Sequence, residues 1–285
     1  MPALPPIVVP RLAVMQAMLS ESLAAGGSRH TIHPGELGWW FFHQDPSRTP
    51  LETLIEDDAF AVIDANGPEI SVFGRPGAER VPLLDAALER VDERPTVGFV
   101  AHTDTELADA LRGRGFEPDP AFELEFKAAV AEVAVPSVVP DGYTIRPVAG
   151  EEEAWSRRAA SHAAFASSLE PELHHQRYLR FMRSEVYVPE RDLVAVHADG
   201  RVAAFLVWWG DEASGVAQLE PVGTHPDHQR RGLGRALLAR AAGDMAAAGM
   251  HTVRVGTGAH RSDAVAFYRR SFREVGRTDW WRGVR

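Results

Sequence analysis

The stretch from residue 216 to residue 249 constrains the fold most, because it predicts a strand, a glycine-rich turn and a helix in direct succession. The strand is predicted over residues 216–223, and the turn follows at residues 229–234, with the sequence Gln-Arg-Arg-Gly-Leu-Gly. Apolar residues then recur at every fourth position from Leu233 to Met245, which predicts a helix with one apolar face.

This arrangement is suited to binding an anion. The amides at the start of the helix and the positive end of its dipole favour a negative group. Gly232 and Gly234 let the backbone come close to that group, and Arg230, Arg231 and Arg235 add positive charge beside it. The alternative is a turn that only connects a strand to a helix.

Two other phosphate-binding motifs do not fit the turn. The lysine and hydroxyl of a P-loop are missing, because Gly234 is followed by Arg235 and Ala236. The dinucleotide fingerprint needs a third glycine, and the turn has only two.

The turn resembles the (Q/R)xxGx(G/A) signature of the GNAT acyl-CoA N-acyltransferase superfamily. In that family the amides of the turn hold the pyrophosphate of acetyl-CoA, and the preceding strand pairs with its pantetheine arm. The resemblance implies that acetyl-CoA is a co-substrate of this chain. The implied contact residues are Val222, Thr224, Gln229, Arg230, Arg231, Gly232, Leu233, Gly234, Arg235, Arg261 and Tyr268.

Length and composition indicate a globular protein of about two domains. The chain has 285 residues, of which 45% are hydrophobic and 25% charged. It contains no cysteine, which excludes disulfides, thiolate metal ligands and a cysteine nucleophile. Prolines interrupt the apolar start, at residues 2, 5, 6 and 10, so no secretion signal is predicted. No segment is long and apolar enough to span a membrane, and a cytoplasmic protein, monomeric or homodimeric, is expected.

Charge is divided unevenly along the chain. Residues 1–135 carry 10 Lys and Arg against 22 Asp and Glu, whereas residues 136–285 carry 20 against 18. So acidic a chain is not expected to bind nucleic acid. The acidic half either steers a cationic acceptor or is only a solvated surface.

The order of predicted elements is repeated in the two halves. The first half has a helix at residues 11–25, ended by Gly26 and Gly27, and strands at residues 59–64, 70–73, 97–101 and 122–126, with helices at 81–91 and 106–112. The second half has a hairpin at residues 193–209, then strands at 216–223, 252–256 and 275–281 and helices from 233 and at 264–270. Residues 134–142, rich in proline, form the linker.

We therefore predict an α/β (α+β) fold with two tandem GNAT-like domains, each a mixed, mostly antiparallel sheet flanked by helices. The domains are residues 1–135 and 136–285. Both halves resemble the family, because residues 111–117 match its usual helix end. The first half has a shorter turn without GxG, at residues 74–80, followed by Pro82. We predict a degenerate copy that binds no cofactor.

Glu220 is the candidate general base. It lies just before the turn, where members of the family often place a glutamate that takes the amine proton directly or through water. Pro221 follows and cannot donate to a strand pair, which predicts a break in pairing there. In the alternative, Glu220 pairs with a neighbouring arginine or caps the strand.

Tyr268 is the candidate general acid. It matches the tyrosine of the AxxLY pattern of the family, which points at the cofactor sulfur. The chain departs from that pattern at Arg261, where the family usually has asparagine, and at Ser271, where the glycine that ends the helix is missing. In the alternatives, Phe267 faces the thiolate, or Tyr268 is a core residue.

The helices before the first strand of the second half are expected to form the acceptor pocket. The candidate residues there are His162, Phe165, His174, His175 and Tyr178, with Trp208 and Trp209 on the hairpin. His174 and His175 lack a third ligand at useful spacing, so no metal site is predicted. The aromatic residues 39–42 either line the pocket or form core, and Trp280 or Trp281 is expected to pack inside.

The function predicted is an acetyl-CoA-dependent N-acetyltransferase that acetylates a primary amine of a small molecule, or a peptide N-terminus, in a ternary complex. The alternative is a non-catalytic acyl-CoA-binding sensor or interaction protein that kept the turn.

Overall fold

The computed structural model describes residues 9–26, 32–45, 47–91 and 95–284. The helices are α1 (Leu12–Ala24), α2 (Pro34–Phe42), α3 (Val81–Leu88), α4 (Thr105–Gly113), α5 (Val130–Val133), α6 (Ala154–Ala164), α7 (Pro171–Met182), α8 (Leu233–Ala247) and α9 (Ser262–Tyr268). The strands are β1 (Glu52–Ile55), β2 (Ala59–Asp64), β3 (Glu69–Gly74), β4 (Thr96–Ala101), β5 (Phe116–Ala129), β6 (Tyr143–Pro147), β7 (Asp192–His197), β8 (Val202–Asp211), β9 (Val216–Thr224), β10 (Thr252–Gly258) and β11 (Arg273–Gly283). The proline-rich start at residues 1–8 and Gly27, which belong to the predictions from sequence, lie outside the described residues.

Two compact units are present, and neither is a continuous half of the sequence. The turn unit contains residues 38–45 and 128–253 of the described chain. The β11 unit contains residues 9–26, 32–37, 47–91, 95–127 and 254–284. The units reflect how the chain packs, whereas the predicted domains at 1–135 and 136–285 reflect duplicated sequence patterns.

The turn unit contains an antiparallel sheet in which the strands follow each other in the order β9, β8, β7 and β6. Its helix α6 packs against β8 and β9, and α7 packs against α6. Phe205 and Val194 are fully buried and form the core with Ala160 of α6. Pro171 at the first positions of α7 and Gly232 before α8 mark where these helices begin.

The β11 unit contains strands in the order β1, β2, β3, β4, β11, β5 and β10. The last strand of the chain, β11, is antiparallel to both β4 and β5, so it completes a sheet formed mainly by the N-terminal half. β3 and β4 are parallel and pair over only two positions, Glu69 with Thr96 and Ile70 with Val97. Trp281 is 3% exposed and belongs to the core of this unit, as expected for one of the two terminal tryptophans.

Most predicted elements are present with small differences in their ends. β2 has the predicted bounds, and α1 begins and ends within one residue of the prediction. α3 ends at Leu88, three residues before the predicted end, and β5 is much longer than predicted. The short edge strands β1 and β6 were not predicted, because neither has a clear alternation of apolar and polar residues.

None of the helices in the described part of the chain is both long enough and apolar enough to span a membrane.

Candidate active site

The glycine-rich turn leaves the start of α8 open. Gly232 is the N-cap, with φ 88°, in the left-handed region that glycine adopts without strain. No side chain caps the helix, and its first bond runs from the Ala236 N–H to the Gly232 carbonyl at 3.1 Å. The N–H groups of Leu233, Gly234 and Arg235 therefore have no partner within the helix.

The residues before Gly232 are exposed and hold the turn in shape. The Gln229 amide donates to the Thr224 carbonyl at 3.2 Å, and the Arg231 guanidinium donates to the Asp227 carbonyl at 3.2 Å. Arg230 has φ 63°, which is uncommon for a residue with a side chain. The positive end of the α8 dipole and these arginines together give the turn a positive potential.

Strand β9 has an irregularity at the candidate base. Leu206 pairs with Val222 and Trp208 with Leu219, so one residue of β8 lies opposite both Glu220 and Pro221. Pairing is therefore broken at the predicted place. Such bulges change the direction of a side chain and are common beside active sites. The carboxylate of half-buried Glu220 accepts a hydrogen bond from the Gln218 amide at 3.1 Å.

The candidate acid lies in the other compact unit, at the end of α9. Tyr268 is 6% exposed and packs against Phe126 and Phe272, with ring centroids 5.9 and 5.8 Å apart. Phe267 is half-buried, so Tyr268 is the more enclosed of the two rings. Arg261 precedes α9 as its N-cap, and its carbonyl accepts from the Val265 N–H at 3.0 Å. The contact of Tyr268 and Arg261 with the cofactor stays a prediction.

The predicted acceptor residues lie on α6 or at its C-terminal end, on α7 and on β8, within the turn unit. His174, His175 and Tyr178 are buried on α7, and Phe165 packs edge-on against Phe205 at 5.8 Å. The His162 ring nitrogen Nε2 lies 3.0 Å from the Leu169 carbonyl. Trp208 and Trp209 are also buried, at 3% and 5% exposure.

A buried ion pair that was not predicted connects these elements. Arg157 lies 3.2 Å from Asp192 at the start of β7, and the Tyr178 hydroxyl donates to the same carboxylate at 2.7 Å. Burial, and the charge of Asp192 after it, raise the pKa of Tyr178 well above its usual value. In the sequence, Arg157 and Asp192 are 35 positions apart, so no local pattern indicates the pair.

The N-terminal aromatic run also contributes to the turn unit. Phe41 and Phe42 are buried, as expected for core residues, whereas Trp39 is half-buried. The Trp39 ring stacks on His43 at 3.8 Å and contacts Phe181 of α7 edge-on at 4.6 Å. The Arg177 guanidinium donates to the His43 carbonyl at 2.8 Å. The run therefore forms core and also lies beside the predicted acceptor residues.

Histidines next to the turn form a second cluster that was not predicted. The Tyr143 hydroxyl lies 2.8 Å from His228 Nδ1, and the rings of His197 and His225 lie 5.3 and 5.8 Å from that of His228. Burial, and then the neighbouring positive groups, lower the pKa of His228. His225 and His228 flank Pro226 and Asp227 directly before the turn. This spacing is the feature of the sequence that could have indicated the histidine cluster.

The equivalent turn of the β11 unit differs from the one before α8. Its N-cap residue is Arg80, 5% exposed, whose guanidinium lies 2.6 Å from the buried carboxylate of Asp104. Pro82 in the first turn of α3 also removes one of the N–H groups. The residue before α3 thus carries a side chain held in an internal ion pair, whereas α8 is preceded by a glycine.

The described part of the chain contains no group of three or more His, Asp or Glu side chains arranged to hold a metal ion.

The strand, glycine-rich turn and helix thus follow one another as the resemblance to the GNAT acyltransferase superfamily implies. The profile of the Acetyltransferase (GNAT) family matches residues 155–272. A mycothiol acetyltransferase of Clavibacter sepedonicus is 32% identical over 239 residues, which cover 79% of this chain and 74% of that protein. The chain belongs to the GNAT acetyltransferase family, whose members transfer acetyl groups from acetyl-CoA.

Further relatives carry the same name. A mycothiol acetyltransferase of Clavibacter michiganensis subsp. michiganensis is 32% identical over 206 residues, covering 68% of this chain and 63% of its own length. The chain therefore spans less than two thirds of the length of that relative.

Solved structures with low sequence identity share the fold. A tandem GNAT protein from the clavulanic acid biosynthesis pathway aligns over 94% of this chain and 93% of its own, with a TM-score of 0.66 and 16% identity. A GCN5-related N-acetyltransferase from Sphaerobacter thermophilus aligns over 99% and 98%, with a TM-score of 0.60 and 19% identity. The tandem GNAT architecture is thereby established.

Proposed function

We propose that this protein is an acetyl-CoA-dependent N-acetyltransferase that acetylates a primary amine. The acceptor is a small molecule or a peptide N-terminus, and the amine attacks the thioester directly in a ternary complex. The names of the mycothiol acetyltransferase relatives support acetyl transfer to a small molecule.

The open start of α8 is the observation that carries this proposal. Three successive N–H groups, of Leu233, Gly234 and Arg235, lack partners within the helix, and the turn before them is exposed. A diphosphate fits this site because it supplies acceptors for the amides and negative charge for the helix end. Acetyl-CoA would be bound by the residues that the family resemblance implies, which are residues 222, 224, 229–235, 261 and 268.

Attack on the thioester requires a neutral amine, whereas a free alkyl amine has a pKa of about 10.4. Glu220 would take the proton, directly or through water. The bulge in β9 and the half-exposed position of Glu220 support this role. A positioned base of this kind is typically worth about 10²–10⁴ in rate.

The departing CoA thiolate benefits from a proton, because a thiol has a pKa of about 8.5. Tyr268 would supply that proton. Its enclosure among aromatic rings at the end of α9, with Phe267 more exposed, favours the tyrosine over its neighbour for this role.

Only one cofactor is expected to bind each chain. In the β11 unit the ion-paired Arg80 stands before α3 where α8 has Gly232, and Pro82 removes one of the amides that a second cofactor would need. The predicted domain at residues 1–135 would thus serve the fold rather than bind acetyl-CoA.

The test is to supply the purified protein with acetyl-CoA and a panel of primary amines and to measure CoA thiol release. The proposal predicts amine-dependent release with at least one acceptor. A protein that binds acetyl-CoA but releases no thiol with any amine would instead fit the non-catalytic sensor, and the enzyme assignment would be withdrawn.

A further inference from the structure

Arg158 on α6 is buried without an ion pair among the described residues, and the carboxylate that acts on its charge, Glu172 of α7, lies beyond ion-pair distance. It is 6% exposed, and its Nε and Nη1 atoms are enclosed with no hydrogen-bond acceptor among the described residues. Its guanidinium carbon lies 5.0 Å from the centre of the Trp155 ring, which covers one face of the group. In the described part of the chain no carboxylate lies within ion-pair distance of it.

The adjacent residue, Arg157, shows the usual way in which a buried arginine is accommodated. It is 2% exposed and forms the ion pair with Asp192. A guanidinium is effectively always charged, so Arg158 cannot become neutral to avoid the penalty of burial. An unpaired buried charge is strongly destabilising, and retaining one indicates that another group satisfies it.

His174 on α7 extends the same polar site. It is 8% exposed, and its Nδ1 atom also lacks a hydrogen-bond partner among the described residues. Its ring lies 5.6 Å from that of His162 and 6.4 Å from that of His43. Burial, and then the positive charges of Arg158 and other neighbours, lower the pKa of His174 to about 4. The ring is therefore neutral at pH 7 and can donate one hydrogen bond.

Helix α6, which carries Arg158, also packs against β9, the strand that carries the candidate base Glu220. The last residue of α6, Ala164, lies against β9, where a Cβ added to Gly223 would be 3.0 Å from the Ala164 Cβ. Gly223 follows Glu220 by three residues on the same strand. Since Arg158 is six residues before Ala164, the two lie on the order of 9 Å apart along the helix axis.

We propose that Arg158, with His174 beside it, binds an anionic group of the acceptor, either a carboxylate or a phosphate. The inference rests on the proposed function, because it assigns the substrate of that reaction to the class of amines that carry such a group. Arginine suits this role, since its planar donors match both oxyanions.

The first test measures anion binding directly, without turnover. The protein is saturated with CoA, so that the turn is occupied, and titrated by calorimetry with inorganic phosphate and, separately, with glutarate. One of the two is expected to bind, and Arg158→Met is expected to weaken that binding at least tenfold. Arg183→Met, which removes an exposed arginine at the end of α7 that is paired with Glu151, is the matched control and is expected to bind like the wild type.

The second test uses pairs of amines that differ only in a terminal carboxylate or its amide, over a range of chain lengths. Arg158→Met is expected to lower kcat/KM at least tenfold for the carboxylates and less than twofold for the amides. Equal losses for both, or no binding of either anion to the wild type, would overturn the inference. Absence of thiol release with every amine would instead contradict the proposed function, while the calorimetry would still decide on the anion site.

Thermal unfolding distinguishes a ligand-binding arginine from a structural one. Because the charge forms no internal ion pair within the described part of the chain, Arg158→Met is expected to unfold at the same temperature as the wild type or higher. A lower unfolding temperature combined with unchanged anion binding would assign Arg158 to the core and contradict the inference. Should Arg158→Met fail to fold, Arg158→Lys, which keeps the charge but loses the planar donors, is expected to bind the anion more weakly.

Discussion

Gly232 holds the backbone conformation on which the cofactor site depends. Its φ of 88° directs the chain into α8 without a side chain over the open amides. Among the described residues, a Cβ added there would meet only Pro140, at 3.9 Å, so space within this part of the protein does not require glycine. The requirement comes from the backbone conformation and from the approach of the ligand.

The two candidate catalytic side chains can be tested by removing only their ability to transfer a proton. Glu220→Gln and Tyr268→Phe are each expected to lower kcat at least tenfold, because a positioned acid or base contributes about 10²–10⁴. The affinity for acetyl-CoA should change little. Steady-state kinetics and calorimetry check both parts of this prediction.

Glu212→Gln, a change of the same kind on the exposed turn between β8 and β9, is the control and should keep wild-type kinetics. Wild-type rates in Glu220→Gln and Tyr268→Phe would remove these two residues from the mechanism.

His174 makes the stability of the protein depend on pH. Its pKa is about 4 in the fold and 6.5 ordinarily, so the unfolded chain binds more protons between these values and stability falls as pH falls from 6.5 to 4. The contribution is at most about 3 kcal/mol. His174→Gln is expected to show a smaller decrease in unfolding free energy from pH 7 to pH 4.5, measured by urea titration. A decrease as large as that of the wild type would contradict this role.

For single residues, the sequence allows a prediction where the role of the residue depends on its neighbours along the chain. Gly232, Gly234 and Pro221 could be interpreted from the adjoining strand and helix alone. Arg158 could not, because its distinguishing property is that its buried Nε and Nη1 atoms have no hydrogen-bond partner among the described residues that folding brings around it. The same holds for His43, which lies far from α7 in the sequence.

Among the elements, β7 is connected by one carboxylate to α6 and α7, the two helices that carry predicted acceptor residues. Asp192 is fully buried and binds Arg157 of α6 and Tyr178 of α7. Asp192→Asn keeps the shape but removes the charge, so it leaves Arg157 buried without a counterion. We expect a loss of about 3–5 kcal/mol in unfolding free energy, measured by urea titration.

Asp199→Asn is the matched control, because Asp199 pairs with exposed Arg201 at the β7–β8 turn, where an ion pair contributes little. A loss no greater for Asp192→Asn than for Asp199→Asn would contradict the proposed role of the buried pair.

The helices and strands with a regular apolar pattern were predictable, and those without one were not. β9 and α8 follow the expected order, because the predicted strand is followed by the paired glycines of the turn and then by a four-residue apolar repeat. The edge strands β1 and β6 are four and five residues long, and pairing with their neighbours determines them more than their own sequence does.

Across the whole molecule, the path of the C-terminal segment could not be predicted from the sequence. β11 pairs with β4 and β5, so the end of the chain belongs to a sheet formed mostly by the first half. Patterns of apolar residues predict that a strand exists but carry no information about its partner. The duplicated order of elements was nonetheless visible, and the tandem structural relative has the same fold.

The central claim is that the turn before α8 binds the diphosphate of acetyl-CoA, and calorimetry of the purified protein with acetyl-CoA tests it most directly. Gly249→Asp, at the opposite end of α8 and with a similar φ of 81°, is the matched control for Gly232→Asp. We predict binding of one acetyl-CoA per chain by the wild type and by Gly249→Asp, and at least a hundredfold loss of affinity in Gly232→Asp. A flat titration of the wild type, or equal affinities of the two variants, would contradict the claim.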